Sequence, residues 1–548
     1  MHFKSSKSAL LVLAGIFFTF LNNHAYALNY AEYTFNFDPE KKQDCLQIQL
    51  RTQTDSNGNA VFKLPQNVDI ISAQNPETRL SILSKERRFV LAQLKPNEPL
   101  TVRYQSCFIN PSKMLKNALY DKELIFFAHD TMLVMPLSIN PYDRWHYVMD
   151  YSKLPNQFHI VSSYPIINKK MDVIVSLDEF RHMATLAGSF TSKTLAFDNN
   201  EGKSVQYIQI GNWDWLRKTP EYYIRTLLTH QRRFWNDDNS AEYFMSFAAH
   251  KKTPFSNGIH GTHFKNFITF SIPPNTDHIP ASIISISHEL FHGWIGDKAY
   301  FKNPLESLTW FVEGFTDYYG ARFALESGAI SFSEYIDYLN NHLVRFYSSP
   351  IQNMPFEQAL KYYDSDQFVY QFELIKGTLI AHKMAKIKDE NNQLILDKIV
   401  KDIYFKIKMN DDLSEEVQKS IVKNQFSQEL GQEQWSTFER LLKSQNQFTL
   451  SDRDFDFPVT IVKKSFKLPH YHFDMNHFII NREIKDLKSN SPEYQAGLRN
   501  GMKVIQHNIL FYRPIDKVIL LVANKNNSQK TITFRPKLSL KEIPQIIN

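Results

Sequence analysis

Ser287-His288-Glu289-Leu290-Phe291-His292-Gly293-Trp294, preceded by the apolar run Ile283-Ile284-Ser285-Ile286, decides how the rest of the chain is read. On a helix, His288 and His292 lie one turn apart on the same face, so both imidazoles can point at one cation while Glu289 sits beside them. Neutral imidazole is a good zinc ligand, and a catalytic zinc usually has three protein ligands and an open position held by water, whose pKa the metal lowers. Two histidines therefore call for a third ligand. It is found in Thr309-Trp310-Phe311-Val312-Glu313-Gly314-Phe315-Thr316-Asp317-Tyr318-Tyr319-Gly320, a second apolar, helix-like segment. Glu313 stands there among aromatics, where a carboxylate is expensive to bury unless it is paired or binds a metal. Asp317 follows one turn later on the same face, placed to accept a hydrogen bond from the second ring nitrogen of a liganding histidine and so to fix its tautomer. The reading is one Zn2+ per chain on His288, His292 and Glu313, with Glu289 as a base. The competing reading, core histidines with a stray acid, does not account for two matched segments at a workable distance.

Outward from this stretch, 548 residues exceed what one hydrophobic core usually serves, so several domains are expected. The composition is that of a folded protein, with 43% hydrophobic and 22% charged residues. Residues 1–27 read as an export signal: Lys4 and Lys7, an apolar run from Ala9 to Leu21, then Ala25-Tyr26-Ala27 as a small-x-small cleavage site. The apolar run is short for a bilayer span, and no later segment is long and apolar enough to make one. The chain is therefore expected in the periplasm or outside the cell, beginning at Leu28. Its formal charge of +6 falls to about +4 without Lys4 and Lys7, with no basic tract behind it, which does not suggest nucleic-acid binding. The only cysteines, Cys45 and Cys107, could form one disulfide in an oxidising compartment.

Residues 28–165 alternate in short runs such as Tyr33-Thr34-Phe35-Asn36-Phe37 and Cys45-Leu46-Gln47-Ile48-Gln49-Leu50, separated by turn-forming clusters such as Ser56-Asn57-Gly58-Asn59. This pattern predicts an N-terminal β-sandwich without catalytic residues. Residues 166–450 begin with mixed signals. Met171 to Leu177 and Tyr207 to Ile210 read as strands, Pro220 to Trp235 as a helix, and from Pro280 the reading is mostly helical. Ser331-Phe332-Ser333-Glu334 is a capping box, Gly328 is placed to end the preceding helix, and a further helix runs through Phe368 to Ile387. Residues 451–548 return to strand-like alternation around Ser491-Pro492-Glu493-Tyr494-Gln495-Ala496-Gly497-Leu498-Arg499-Asn500-Gly501.

At this point the chain resembles the glycyl aminopeptidase family of zinc peptidases, relatives of the larger aminopeptidase and thermolysin-like gluzincin group. Three stretches carry the likeness: His288 to His292, Trp310 to Tyr319, and Ser491 to Gly501, the last similar to a PDZ domain. The resemblance implies a multidomain α+β chain: a β-sandwich, a thermolysin-like catalytic domain that is α/β and then helical, and a C-terminal PDZ-like β domain. Two departures bear on activity. Relatives hold the substrate's free amino group with a glutamate upstream of the zinc helix; the comparable stretch here is Gly258-Ile259-His260-Gly261-Thr262-His263, with Thr262 near the expected acid and His263 beside it as candidate substrate contacts. Relatives also place a tyrosine before Lys-Gly on a downstream helix to stabilise the oxyanion, where this chain has Leu374-Ile375-Lys376-Gly377. Tyr370, one turn earlier, is either a substitute or an ordinary buried tyrosine.

The expected function is an exported zinc metallopeptidase acting on a peptide or protein substrate, aminopeptidase-related with altered specificity. The reading from another class is a noncatalytic exported peptide-binding protein that keeps the metal. The retained Glu289 favours the enzyme, because a structural site has no need of a base.

Overall fold

The apolar run ahead of His288 forms the last turns of a helix, Ile279–Phe291, whose residues from Ser282 onward are nearly all buried. A helix that is apolar around most of its circumference belongs inside a packed domain. In the computed structural model the described residues are 29–37, 45–65, 68, 71–73, 78–84, 89–107, 118–121, 124–137, 143–197, 204–210, 213–237, 243–249, 260–272, 279–302, 307–352, 354, 367–410, 413–443, 448–455, 457–523 and 528–547. The expected export signal at 1–27 lies outside them. They fall into two compact units: one up to Thr191 with Phe264–Phe267, the other Ser192–His263 with Ile268 onward.

The first unit is built from β-strands. Its six-stranded sheet runs in the order Lys170–Ser176, Arg144–Lys153, Asn29–Asn36, Cys45–Gln53, Pro99–Cys107, Ile71–Ala73, with two four-stranded sheets besides. Alternation along Cys45–Gln53 and Pro99–Cys107 buries every second side chain, the period-two pattern that places one face on a core. That core includes Tyr33, Phe35, Phe62, Tyr147 and Tyr151. Cys45 and Cys107 stand directly opposite each other on neighbouring antiparallel strands, and their sulfurs are bonded.

The second unit carries a five-stranded sheet in the order Ser192–Leu195, Val205–Ile210, Tyr243–Ala249, Phe267–Ile272, His260–Phe264. Helix α1 (Pro220–Trp235) connects the parallel pair Val205–Ile210 and Tyr243–Ala249. Thr219 caps α1 by accepting from the Tyr222 N–H, Pro220 occupies its first turn, and Asn236 ends it in the left-handed conformation. Then come α2 (Ile279–Phe291), α3 (Gly314–Glu326), α4 (Phe332–Ser348), α5 (Gln367–Ala385), α6 (Ile395–Lys408), α7 (Glu415–Leu430) and α8 (Gln432–Leu442). Both halves of the Ser331–Glu334 capping box form at the start of α4, and Gly328 takes a positive φ of 73° after α3. The segment around Glu313 is two helical pieces, Thr309–Val312 and α3, joined at Glu313, whose φ and ψ of −94° and −48° remain helical. Residues 457–547 hold a two-stranded ribbon, Thr460–His470 with Lys537–Ile547, and a three-stranded antiparallel sheet, Lys503–His507, Val518–Ala523 and Gln529–Phe534. Residues 508–517 connect the first two of these three strands without a helix.

Two glycines allow the central helices to approach. A Cβ on Gly320 of α3 would stand 2.9 Å from the backbone nitrogen of His288 on α2, and one on Gly377 of α5 would stand 2.3 Å from the Trp310 carbonyl oxygen and 2.9 Å from Cα of Gly314. These neighbours are backbone and cannot rotate away, so a methyl group forces the helices apart. Gly377→Ala should therefore destabilise the protein by about 1–3 kcal/mol, the usual cost of overpacking. Denaturant unfolding measures it; an unchanged midpoint would show that α5 does not pack this closely.

Candidate metal centre

The α2–α3 approach brings Glu313 to the two imidazoles. His288 Nε2 and His292 Nε2 are 3.0 Å apart, and Glu313 Oε2 lies 3.5 Å from the first and 3.6 Å from the second. A tetrahedral ion with ligand bonds of about 2.0–2.1 Å sets its ligand atoms about 3.3 Å from one another, so the triangle has the dimensions of three corners of a zinc site. Two imidazoles and one carboxylate are also the donor types of catalytic zinc. Among the described residues this is the one group of histidines, cysteines and acids arranged to hold a metal. The residues fit the ion.

Each histidine presents Nε2 because its other nitrogen is held. Nδ1 of His292 donates to the Ile295 carbonyl at 3.0 Å, through the turn that follows α2. Nδ1 of His288 faces Asp317 Oδ1 at 3.7 Å. Holding the remote ring nitrogen sets the tautomer and the ring orientation.

Asp317 is itself gripped. Its Oδ1 accepts from the Tyr338 hydroxyl at 2.6 Å; its Oδ2 accepts from Thr378 Oγ1 at 2.9 Å and lies 3.0 Å from His342 Nε2. Burial alone would raise its pKa; the charge of His342 and the hydrogen bonds from His288 and His342 outweigh this and hold the carboxyl well below the usual range. Glu313 is likewise penalised by burial, yet the two imidazoles keep it well below its ordinary value. Burial lowers His288, but the carboxylates of Asp317, Glu313 and Glu289 more than reverse this and raise it to about 10 without metal.

Glu289 is buried beside the triangle, its carboxyl group lying against the edge strand His260–Phe264: a Cβ on Gly261 would come within 2.5 Å of Oε1. Strand and helix are further tied by His263, whose Nδ1 lies 3.1 Å from the Glu289 carbonyl and whose Nε2 lies 3.6 Å from Asp297 Oδ2. The Thr262 hydroxyl donates to the Gly261 carbonyl at 2.8 Å. Gln231 of α1 supports α2 from behind, donating to the Ser287 carbonyl at 2.8 Å. Leu374 sits on α5 one turn before Thr378, and its carbonyl accepts from that hydroxyl at 3.0 Å. Tyr370 is on α5 too, but its side chain lies outside the described residues. Sequence reasoning missed Tyr338, His342, Thr378 and Gly261. The i,i+4 spacing of Tyr338 and His342 in a capped helix was the available signal, but nothing local aims them at Asp317.

Residues 282–367 match the family model described as M61 glycyl aminopeptidase. Among solved structures, the chain is similar to an aminopeptidase N family protein from Idiomarina loihiensis, with a TM-score of 0.65 and 15% identity over 93% of this chain and 98% of that one. It is also similar to an M1 zinc metallopeptidase from Deinococcus radiodurans, with a TM-score of 0.51 and 14% identity over 77% of this chain and 95% of that one. At these identities the likeness shows a shared fold. No curated protein matches the chain.

Two outcomes follow from this geometry. Removing the carboxylate that faces Nδ1 of His288 by Asp317→Ala should weaken zinc binding roughly 10- to 100-fold, as loss of a ligand's orienting partner does elsewhere; competition with a chelator of known affinity measures it. Since His288 of the metal-free protein keeps its proton until about pH 10, zinc must displace it. Affinity should then rise about tenfold per pH unit from 7 to 9, with about one proton released per zinc, read by calorimetry in buffers of different ionisation enthalpy. The same raised pKa gives the metal-free fold a contribution complete below about pH 6.5 and lost as pH rises through about 10.

Proposed function

We propose that this chain is a zinc-dependent, aminopeptidase-like peptidase, exported from the cell, with altered specificity. The observation that carries the reading is the triangle of His288, His292 and Glu313 with the buried Glu289 carboxylate beside it. The match of residues 282–367 to M61 glycyl aminopeptidase and the fold shared with an aminopeptidase N family protein and an M1 zinc metallopeptidase support it. A zinc ion held by the three ligands would polarise a peptide carbonyl and lower the pKa of a water. Glu289 would take that water's proton and pass it to the leaving amine, a role open to a carboxylate set within reach of the metal. Gly261 supports this by giving the carboxyl group room against the strand. The edge strand His260–Phe264 has an unpaired side among the described strands, on which an extended peptide could be received.

Altered specificity rests on two positions. Thr262 replaces the acid expected to hold a free amino terminus, so peptides with a blocked terminus should be accepted. Leu374 offers no hydroxyl to an oxyanion, a loss that typically costs roughly 100- to 1000-fold in rate without abolishing it. The same two positions favour a second reading, an exported peptide-binding protein in which the zinc is structural.

A mixed library of free and N-acetylated peptides, incubated with zinc-loaded protein and read by mass spectrometry, separates the two. The enzyme should cleave both sets, and Glu289→Gln should abolish cleavage while stoichiometric zinc is retained. Gly261→Ala, which presses a methyl group against Glu289, should lower kcat/KM roughly 100-fold with zinc still bound, the scale of a misplaced catalytic group. Absence of cleavage by the zinc-loaded wild type would move the assignment to the binding protein.

A further inference from the structure

Helix α4 is held on two opposite faces. From one of them Tyr338 and His342 reach Asp317. Asn340 stands between these two in sequence, and a step of two residues is about 200° of turn on a helix, so its side chain leaves from the far side. There it meets Ile546 of the strand Lys537–Ile547: Nδ2 donates to the Ile546 carbonyl at 2.9 Å, and Oδ1 accepts from the Ile546 N–H at 2.7 Å. The buried side chain of Gln545 donates to the Asn340 carbonyl at 3.4 Å. One turn further along α4, Val344 packs against Leu468 and Ile543 of the ribbon that Thr460–His470 forms with Lys537–Ile547.

The contact at Asn340 is directional. An asparagine side chain both donates and accepts, and here it takes the two backbone groups of a single residue as a neighbouring strand would. Among the described strands, Lys537–Ile547 is paired along one edge only, and Ile546 turns its N–H and carbonyl toward α4 instead. Apolar contacts such as that of Val344 tolerate sliding along a helix axis. A paired amide does not, because its hydrogen bonds weaken steeply with distance and angle. Asparagine is also a weaker helix former than alanine, so the middle of a 17-residue helix gains nothing from it except this contact.

We propose that Asn340 is a positioning residue of the metal centre: the strand Lys537–Ile547 sets the place of α4 along its axis, so that Tyr338 and His342 meet Asp317 and Asp317 faces His288. The inference rests on the reading of His288, His292 and Glu313 as a zinc site. The line runs from Ile546 through Asn340 and α4 to Asp317, and ends at Nδ1 of His288, 3.7 Å from Asp317 Oδ1. A displacement of α4 by about 1 Å would stretch the 2.6 Å contact of Tyr338 and the 3.0 Å contact of His342 past hydrogen-bond length. Asn340 and Ile546 are 206 residues apart, and neither is a metal ligand. The ribbon thereby takes part in metal binding although it supplies no ligand to the centre.

Zinc affinity, measured by competition with a chelator, tests the proposal. Asn340→Ala should weaken binding about tenfold, within the range by which residues outside a site modulate it. Asn341→Ala is the control: this exposed neighbour donates to the Asp337 carbonyl, and its loss should leave affinity unchanged. A chain ending at Pro544 loses the Ile546 partner instead and should show the same tenfold loss. General loosening of the fold is separated by a double-mutant cycle. In an Asp317→Ala background, Asn340→Ala should weaken binding by less than about twofold, because the line through which it acts is already cut. Wild-type affinity in Asn340→Ala or in the chain ending at Pro544, an equal loss in Asn341→Ala, or the full tenfold loss in the Asp317→Ala background would each overturn the proposal. Failure of the wild-type chain to bind zinc is a different outcome, which would overturn the zinc site itself and this inference with it.

Discussion

The approach of α2 and α3 at Gly320 is the constraint on which the centre depends. With the α3 backbone that close to His288, Glu313, about two turns earlier on the same segment, comes within 3.6 Å of both Nε2 atoms. A side chain at position 320 would widen the gap and separate the carboxylate from the imidazoles. Gly314 and Gly377 repeat the device between α3 and α5, which brings Thr378 up to Asp317. The glycines are therefore part of the site although none has a side chain to contribute.

Close packing also concentrates charge. Glu289, Glu313 and Asp317 sit with His288, His292 and His342 in one water-poor region, and a buried charge costs several kcal/mol unless it is paired and hydrogen-bonded. Partners come from every side: Tyr338 and His342 from α4, Thr378 from α5, the Ile295 carbonyl from the turn after α2. Asp317 is the hub, joining α4 and α5 to the ring of His288. The site is preorganised in that the ligand orientations are set by hydrogen bonds already made in the metal-free protein. The raised pKa of His288 belongs with this arrangement, since a proton there serves the surrounding carboxylates as the metal's charge would.

Local signals in the chain were widely legible. Helix α1 runs from Pro220 to Trp235, where periodicity placed it, and the strands Cys45–Gln53 and Pro99–Cys107 alternate as their residues suggest. The capping box at Ser331 forms because its donors and acceptors are three residues apart. The segment around Glu313 was readable as helical but not as two pieces meeting at that residue. Register across elements was not readable: the pairing of Cys45 with Cys107 spans 62 residues of chain.

The sequence by itself determined the pair of imidazoles, because an i,i+4 spacing on a helix puts two side chains on one face whatever surrounds them, and it marked Glu313 and Asp317 as acids too costly to bury without a purpose. Only the tertiary structure decided how those acids are satisfied. Tyr338, His342 and Thr378 reach Asp317 from 21, 25 and 61 residues away, and Gly261 meets Glu289 from a different element of the fold. Such contacts are set by helix crossings and strand placement, which depend on the shape of the whole packed interior rather than on any spacing along the chain.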